Sequence, residues 1–96
     1  MAKESALTLK IKKWLNEQDD SYFIKYHGGR FSSAGVSDLI GTYKGRFVGI
    51  EVKQPGKEKT LTRLQAMFIE KINKSGGVAF MATSIEGVKN GLRKVC

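Results

Sequence analysis

Asp38, Glu51 and Lys53 are spaced D-x(12)-E-x-K. These residue types can hold a divalent metal and order a water beside it. A metal lowers the pKa of bound water and polarises phosphoryl oxygens, so acids that hold it and one positioned lysine form a minimal hydrolytic set. Such chemistry needs neither a reactive cysteine nor a pair of histidines, and this chain has one cysteine and one histidine.

A hairpin must bring these residues together. SDLIGTY and RFVGIEVK are strand-like runs separated by Lys44-Gly45, which suits a two-residue turn. If Tyr43 faces Arg46, paired numbers sum to 89, so Thr42 meets Phe47, Ile40 meets Gly49 and Asp38 meets Glu51. Alternate residues share a face, so Asp38, Glu51 and Lys53 emerge on one side, and Leu39, Val48, Ile50 and Val52 form a core face on the other. Two carboxylates opposed at about 5 Å repel, so something cationic belongs between them. Lys53 is one candidate and a hard divalent cation is the other.

The surrounding segments read as an α-β-β-β-α-β-α order. Over residues 3–18, Leu7, Ile11, Trp14 and Leu15 make an amphipathic stripe, with Glu4 one turn ahead of Leu7 on the same stripe. YFIKY reads as a strand, and HGGRFSSAG, with His27 and Arg30, as a loop. Thr62 and Gln65 match a capping box that opens a helix through Leu64, Phe68, Ile69 and Ile72, which stops at Gly76-Gly77. VAFMAT is a buried strand, and Ser84 caps a short last helix. The aromatics Tyr22, Phe23, Tyr26, Phe47 and Phe68 are expected in the core.

Taken in order, the Glu in the first helix, GVSDLIG, IEVK and Q-x(10)-G-G resemble the virus-type replication-repair nuclease (VRR-NUC) domain of the PD-(D/E)XK nuclease superfamily. Ser37 stands where the superfamily name has Pro, a position that is not a ligand. The resemblance implies an α/β fold with a restriction-endonuclease-like αβββαβ core, a mixed sheet flanked by helices and a short C-terminal helix. It also implies metal-dependent hydrolysis of DNA phosphodiesters. On that footing Asp38, Glu51 and the carbonyl of Val52 would ligate Mg²⁺ or Mn²⁺, and Glu4 would reach the same site directly or through water. Lys53 would orient or help deprotonate the attacking water, and Gln65 would position Lys53. Small stand-alone members of this branch resemble junction-resolving enzymes, which implies a homodimer acting on branched DNA such as four-way junctions.

Composition agrees with a polyanionic partner. Seventeen Lys plus Arg against nine Asp plus Glu give a net charge of +8. Lys10, Lys12, Lys13, His27, Arg30, Lys57, Lys59 and Arg63 are the candidate DNA contacts. With no base-reading motif, shape is a better target than sequence. Ninety-six residues allow one domain. The single Cys96 excludes an intramolecular disulfide or a cysteine-rich metal knuckle. No segment has the roughly 18 consecutive apolar residues of a membrane span, so a soluble protein of the cytoplasm is expected. Two alternatives to a nuclease acting alone are a non-catalytic DNA-binding module and a nuclease subunit of a larger replication or repair assembly.

Overall fold

A computed structural model describes residues 3–28 and 35–95, apart from the side chains of residues 3 and 4. The described elements are α1 (Lys3–Asn16), β1 (Ser21–Lys25), β2 (Leu39–Tyr43), β3 (Arg46–Val52), α2 (Arg63–Lys74), β4 (Val78–Ala82) and α3 (Ile85–Leu92). Short 3₁₀ turns lie at Glu58–Thr60 and Arg93–Val95. This is the order and α/β class expected from the sequence.

The strands form one sheet in the order β1-β2-β3-β4. The first three are antiparallel, and β4 lies parallel to β3. The sheet is mixed because β3 and β4 are joined by a helical crossover through α2, whereas β2 and β3 are joined by a tight turn. In that turn Lys44 and Gly45 have φ of 50° and 85°. Two positive φ values match the right-handed twist of a hairpin, and glycine adopts one without strain. The resulting register pairs Tyr43 with Arg46, Thr42 with Phe47, Ile40 with Gly49 and Leu39 with Ile50, as the sum of 89 requires.

That register sorts the side chains by face. Leu39, Val48, Ile50 and Val52 are fully buried against Ile11 and Leu15 of α1 and Val88 and Leu92 of α3. This is the main core. Gly91 lets α3 close on the sheet, since a Cβ at that position would lie 2.4 Å from the ring of Phe80. The other face carries Gly49 and Glu51, and α2 lies over them with Phe68 against Gly49.

Because α2 spans only part of its face, two expectations for the aromatics fail. Phe23 is fully buried and Tyr26 and Phe68 are half-buried, but Tyr22 is 67% exposed and Phe47 38% exposed. Both project from the side of the sheet that α2 covers, beyond its reach. With Ile24, Ile40 and Thr42 they line an open apolar surface on β1 to β3.

Each outer strand is closed by an asparagine from the helix before it. Asn16 donates to the carbonyl of Phe23 at 3.1 Å and accepts from its N–H at 2.8 Å. Asn73 does the same for Ala79 on β4, at 3.0 and 2.8 Å. No helix among the described residues is long and apolar enough to cross a membrane.

Candidate functional site

The site forms where β2 begins and β3 ends. Asp38 lies one step beyond the Leu39–Ile50 pair, which sets it opposite Glu51 by the same register. Its backbone carbonyl accepts from the N–H of Tyr26 at 2.8 Å, continuing the pairing with β1. Its carboxylate turns toward β3, where Oδ2 accepts from the N–H of Val52 at 2.9 Å. In an antiparallel ladder the N–H and C=O of one residue point to the same side. The carbonyl of Val52 therefore faces the gap in which the Asp38 carboxylate lies.

Glu51 is only 2% exposed, so its acid is removed from bulk water. Burying a carboxylate is costly unless donors reach it. Gln65 Nε2 donates to Glu51 Oε2 at 2.9 Å, and Lys53 Nζ stands 4.0 Å from the same oxygen. Lys53 is itself 8% exposed. Its backbone N–H is held by the carbonyl of Ala82 at 3.0 Å, which fixes the lysine at the end of the β3–β4 pairing.

Gln65 reaches Glu51 because the start of α2 is anchored. The Thr62 hydroxyl accepts from the N–H of Gln65 at 3.1 Å, and Gln65 Oε1 accepts from the N–H of Thr62 at 2.8 Å. This is the capping box expected from the sequence, with Thr62 as N-cap. Oε1 is committed to the cap and Nε2 points at the acid, so the amide's orientation follows from its partners. Instead of two carboxylates facing each other bare, each is given its own donors. The N–H of Val52 serves Asp38, and Gln65 and Lys53 serve Glu51.

The sequence-derived residues divide as follows. Asp38, Glu51, Val52, Lys53 and Gln65 come together. Helix α1 includes Glu4, but the side chain of Glu4 is outside the described residues, as is Arg30. Lys57 and Lys59 are exposed on the connection leading from Lys53 to α2, and Arg63 is exposed in the first turn of α2, so these three lie on the chain segment beside the site. His27 is exposed just after β1. Lys10 and Lys13 are exposed on α1, and Lys12 is half-buried there.

Among the described residues no group of three or more His, Cys, Asp or Glu is placed to hold a metal. The described donors are two carboxylates and the Val52 carbonyl. That set fits a small hard cation, which is commonly bound by one or two carboxylates and completes its shell with water and phosphate oxygens.

Two further features of the described residues carry no local signal in the sequence. The Ser37 hydroxyl is buried, without a hydrogen-bond partner among the described residues, beside the Asp38 backbone. Trp14, Tyr43, Lys44, Lys89 and Arg93 gather in one groove although they lie in separate parts of the chain. A motif search sees only residues near each other in sequence, so it had no signal for this cluster.

No family model matches the sequence, and no curated protein does. Among solved structures, one described as "VRR_NUC domain protein" superimposes with a TM-score of 0.72 at 23% sequence identity, covering 96% of this chain and 86% of that one. The four-stranded mixed sheet with its flanking helices is thus the VRR-NUC fold that the ordered motifs implied.

Proposed function

We propose that this chain is a metal-dependent DNA endonuclease that cuts branched DNA, such as four-way junctions, as a homodimer. The carrying observation is the linked set in which Asp38 bonds the N–H of Val52 while Gln65 and Lys53 both approach Glu51 Oε2. Two acids and a lysine held this tightly need a use beyond folding, since apolar residues would fill the same positions at lower cost.

Mg²⁺ or Mn²⁺ held by Asp38, Glu51 and the carbonyl of Val52, with Glu4 as a further contributor, would supply a bound water of lowered pKa and polarise the phosphate. The chain's own residues do the rest. Lys53, with its stem buried, keeps a cation beside Glu51 where negative charge develops on the phosphate. Gln65 fixes the Glu51 carboxylate and thereby the space in which Lys53 works. Lys12, Lys13, His27, Arg30, Lys57, Lys59 and Arg63 hold the sugar-phosphate backbone.

The uncharged surface of Tyr22, Ile24, Ile40, Thr42 and Phe47 supports the homodimer. On a chain of net charge +8, two copies approach most easily across a face that carries no charge. A two-fold interface uses the same patch on both copies. Light scattering on the parent and on Phe47→Lys tests this, and a parent that stays monomeric at micromolar concentration removes the dimer from the reading.

The activity is tested by incubating the protein with a four-way junction, a flap and a plain duplex in Mg²⁺ or Mn²⁺. Cutting of the junction alone supports the reading in full, whereas equal cutting of all three removes the structural selectivity. Asp38→Ala with undiminished cutting removes the site. No cutting of any substrate, with DNA binding retained, makes the chain a DNA-binding module.

A further inference from the structure

On the side of the sheet away from Gln65, an open groove of about 250 Å³ runs between α1, the end of β2 and α3, lined by Trp14, Tyr43, Lys44, Lys89, Leu92 and Arg93. Its floor is aromatic and its rim is cationic. The ammonium of Lys44 lies 5.5 Å from the centroid of the Tyr43 ring, and that of Lys89 lies 5.6 Å from the Trp14 ring. Attraction to the ring faces, about 0.5 to 1 kcal/mol at exposed sites, biases both exposed lysines toward the groove.

Lys44 is fixed a second way, because its backbone φ of 50° is set by the hairpin turn and its N–H is bonded to the carbonyl of Asp20 at 2.7 Å. Arg93 is steadied by Asn90, whose Oδ1 accepts from its guanidinium at 2.8 Å. No acid lines the groove itself, although Lys89 is also within ion-pair distance of one. Glu86 Oε2 stands 3.9 Å from Lys89 Nζ on an exposed turn of α3, and the exposed Asp20 lines with Lys44 a neighbouring surface and is not among the groove's lining residues. Cations ordered before binding lose less freedom when they meet an anion.

The groove is also separated from the carboxylates. Lys44 is six residues beyond Asp38 along β2, which is about 20 Å at 3.3 to 3.4 Å per residue. Gln65 approaches Glu51 from the α2 side, whereas Trp14 and Lys89 belong to α1 and α3 on the other side. A straight duplex lying against α2 faces away from this groove, whereas a second arm leaving a branch point can turn toward it.

We propose that the groove is a phosphodiester-backbone site that takes a second arm of branched DNA. This rests on the DNA reading of the preceding section but not on catalysis. Lys44, Lys89 and Arg93 neutralise phosphates, and the half-buried faces of Trp14 and Tyr43 hold the lysines in place.

Trp14 is the chain's single tryptophan, so its emission reports on this groove alone. The test is done in EDTA, where a metal-dependent enzyme cannot cut, with the whole protein and with Lys44→Asn/Lys89→Gln/Arg93→Gln. For the parent, Trp14 emission should change on adding a four-way junction and saturate together with fluorescence anisotropy of the labelled DNA. In the triple variant, junction affinity should fall roughly tenfold or more and the salt slope should drop by about one unit per lost contact, while duplex affinity changes less than twofold.

An unchanged Trp14 emission at saturating junction overturns the proposal. So does an equal loss for junction and duplex, or an equal loss in the charge-matched control Lys71→Gln/Lys74→Gln/Lys94→Gln. Inorganic phosphate at millimolar concentration reproducing the full Trp14 response would mean a small-anion site and also overturns it. Asp38→Asn should keep the Trp14 response whether or not the parent cuts DNA, so failure of the nuclease reading and failure of this one are distinguishable.

Discussion

Gln65 and Glu51 join the first turn of α2 to the end of β3 through one hydrogen bond of 2.9 Å, while the other end of the same amide closes the cap with Thr62. One side chain therefore serves a helix start and a buried acid at once. The two roles can be separated.

Thr62→Ala removes the hydroxyl that accepts from Gln65 and should cost about 1 kcal/mol of stability, leaving the bond to Glu51 in place. Gln65→Ala loses the cap's second half and the support of Glu51 together. DNA cleavage should then drop about 10- to 100-fold with Gln65→Ala, the usual effect of losing a group that orients a metal-binding acid, and stay near parent with Thr62→Ala. Urea denaturation beside a cleavage assay reads both, and equal cleavage by the two variants would show that the Glu51 contact is only structural.

Asp38 accepts a backbone hydrogen bond in the fold, and the proposed function gives it a second role. Asp38→Asn keeps an oxygen that can accept from the N–H of Val52, so its stability should lie within about 1 kcal/mol of the parent. Asp38→Ala leaves that N–H without its acceptor and should cost about 1 to 3 kcal/mol. Both should abolish measurable cutting, because the amide of Asn is a far weaker ligand for a hard cation than a carboxylate and the methyl of Ala is none. Thermal melts paired with cleavage rates check this, and full activity in Asp38→Asn contradicts a metal-binding role.

Gly91→Ala should destabilise the fold by about 1 to 3 kcal/mol. The new methyl would lie 2.4 Å from the Phe80 ring, and relief requires α3 to lift from β4. Chemical denaturation measures the loss. Gly45, whose Cβ would meet nothing within 4 Å, is the contrasting position, because a substitution there is penalised only by its positive φ.

Lys44→Asn should leave stability unchanged or raise it by about 0.5 kcal/mol. Asparagine tolerates the left-handed region better than lysine, and Asn-Gly is the preferred pair for this turn. The same substitution removes one cation from the groove beside Trp14, so DNA affinity and stability should move in opposite directions. Denaturation and anisotropy on the single variant test the pair of expectations.

The hairpin register was legible because a two-residue turn turns spacing into pairing, so Asp38 could be set against Glu51 by arithmetic. The Thr62–Gln65 cap was legible because both members are local. The donors that settle the two acids were only half legible. Gln65 was expected in the site, but the bond from the N–H of Val52 to Asp38 depends on where β2 begins. The exposure of Tyr22 and Phe47 was not legible, since alternation along a strand says which residues share a face and not how far a helix extends over it. Lys89 and Trp14 meet only after α1 and α3 pack on the same side, a contact that no local pattern encodes.

The asparagines at the two outer strands have a consequence for how copies of this chain can meet. A bare strand edge recruits any passing extended segment and can propagate into fibres. Asn16 and Asn73 occupy the outward-facing amide and carbonyl of Phe23, at the middle of β1, and of Ala79, near the start of β4, so each border of the sheet has one residue's pairing groups already taken. Adding a strand at either edge would have to displace one of these side-chain pairs, which disfavours growth by edge pairing. A chain of net charge +8 can thereby gather at high local concentration with its sheet edges partly closed to strand addition.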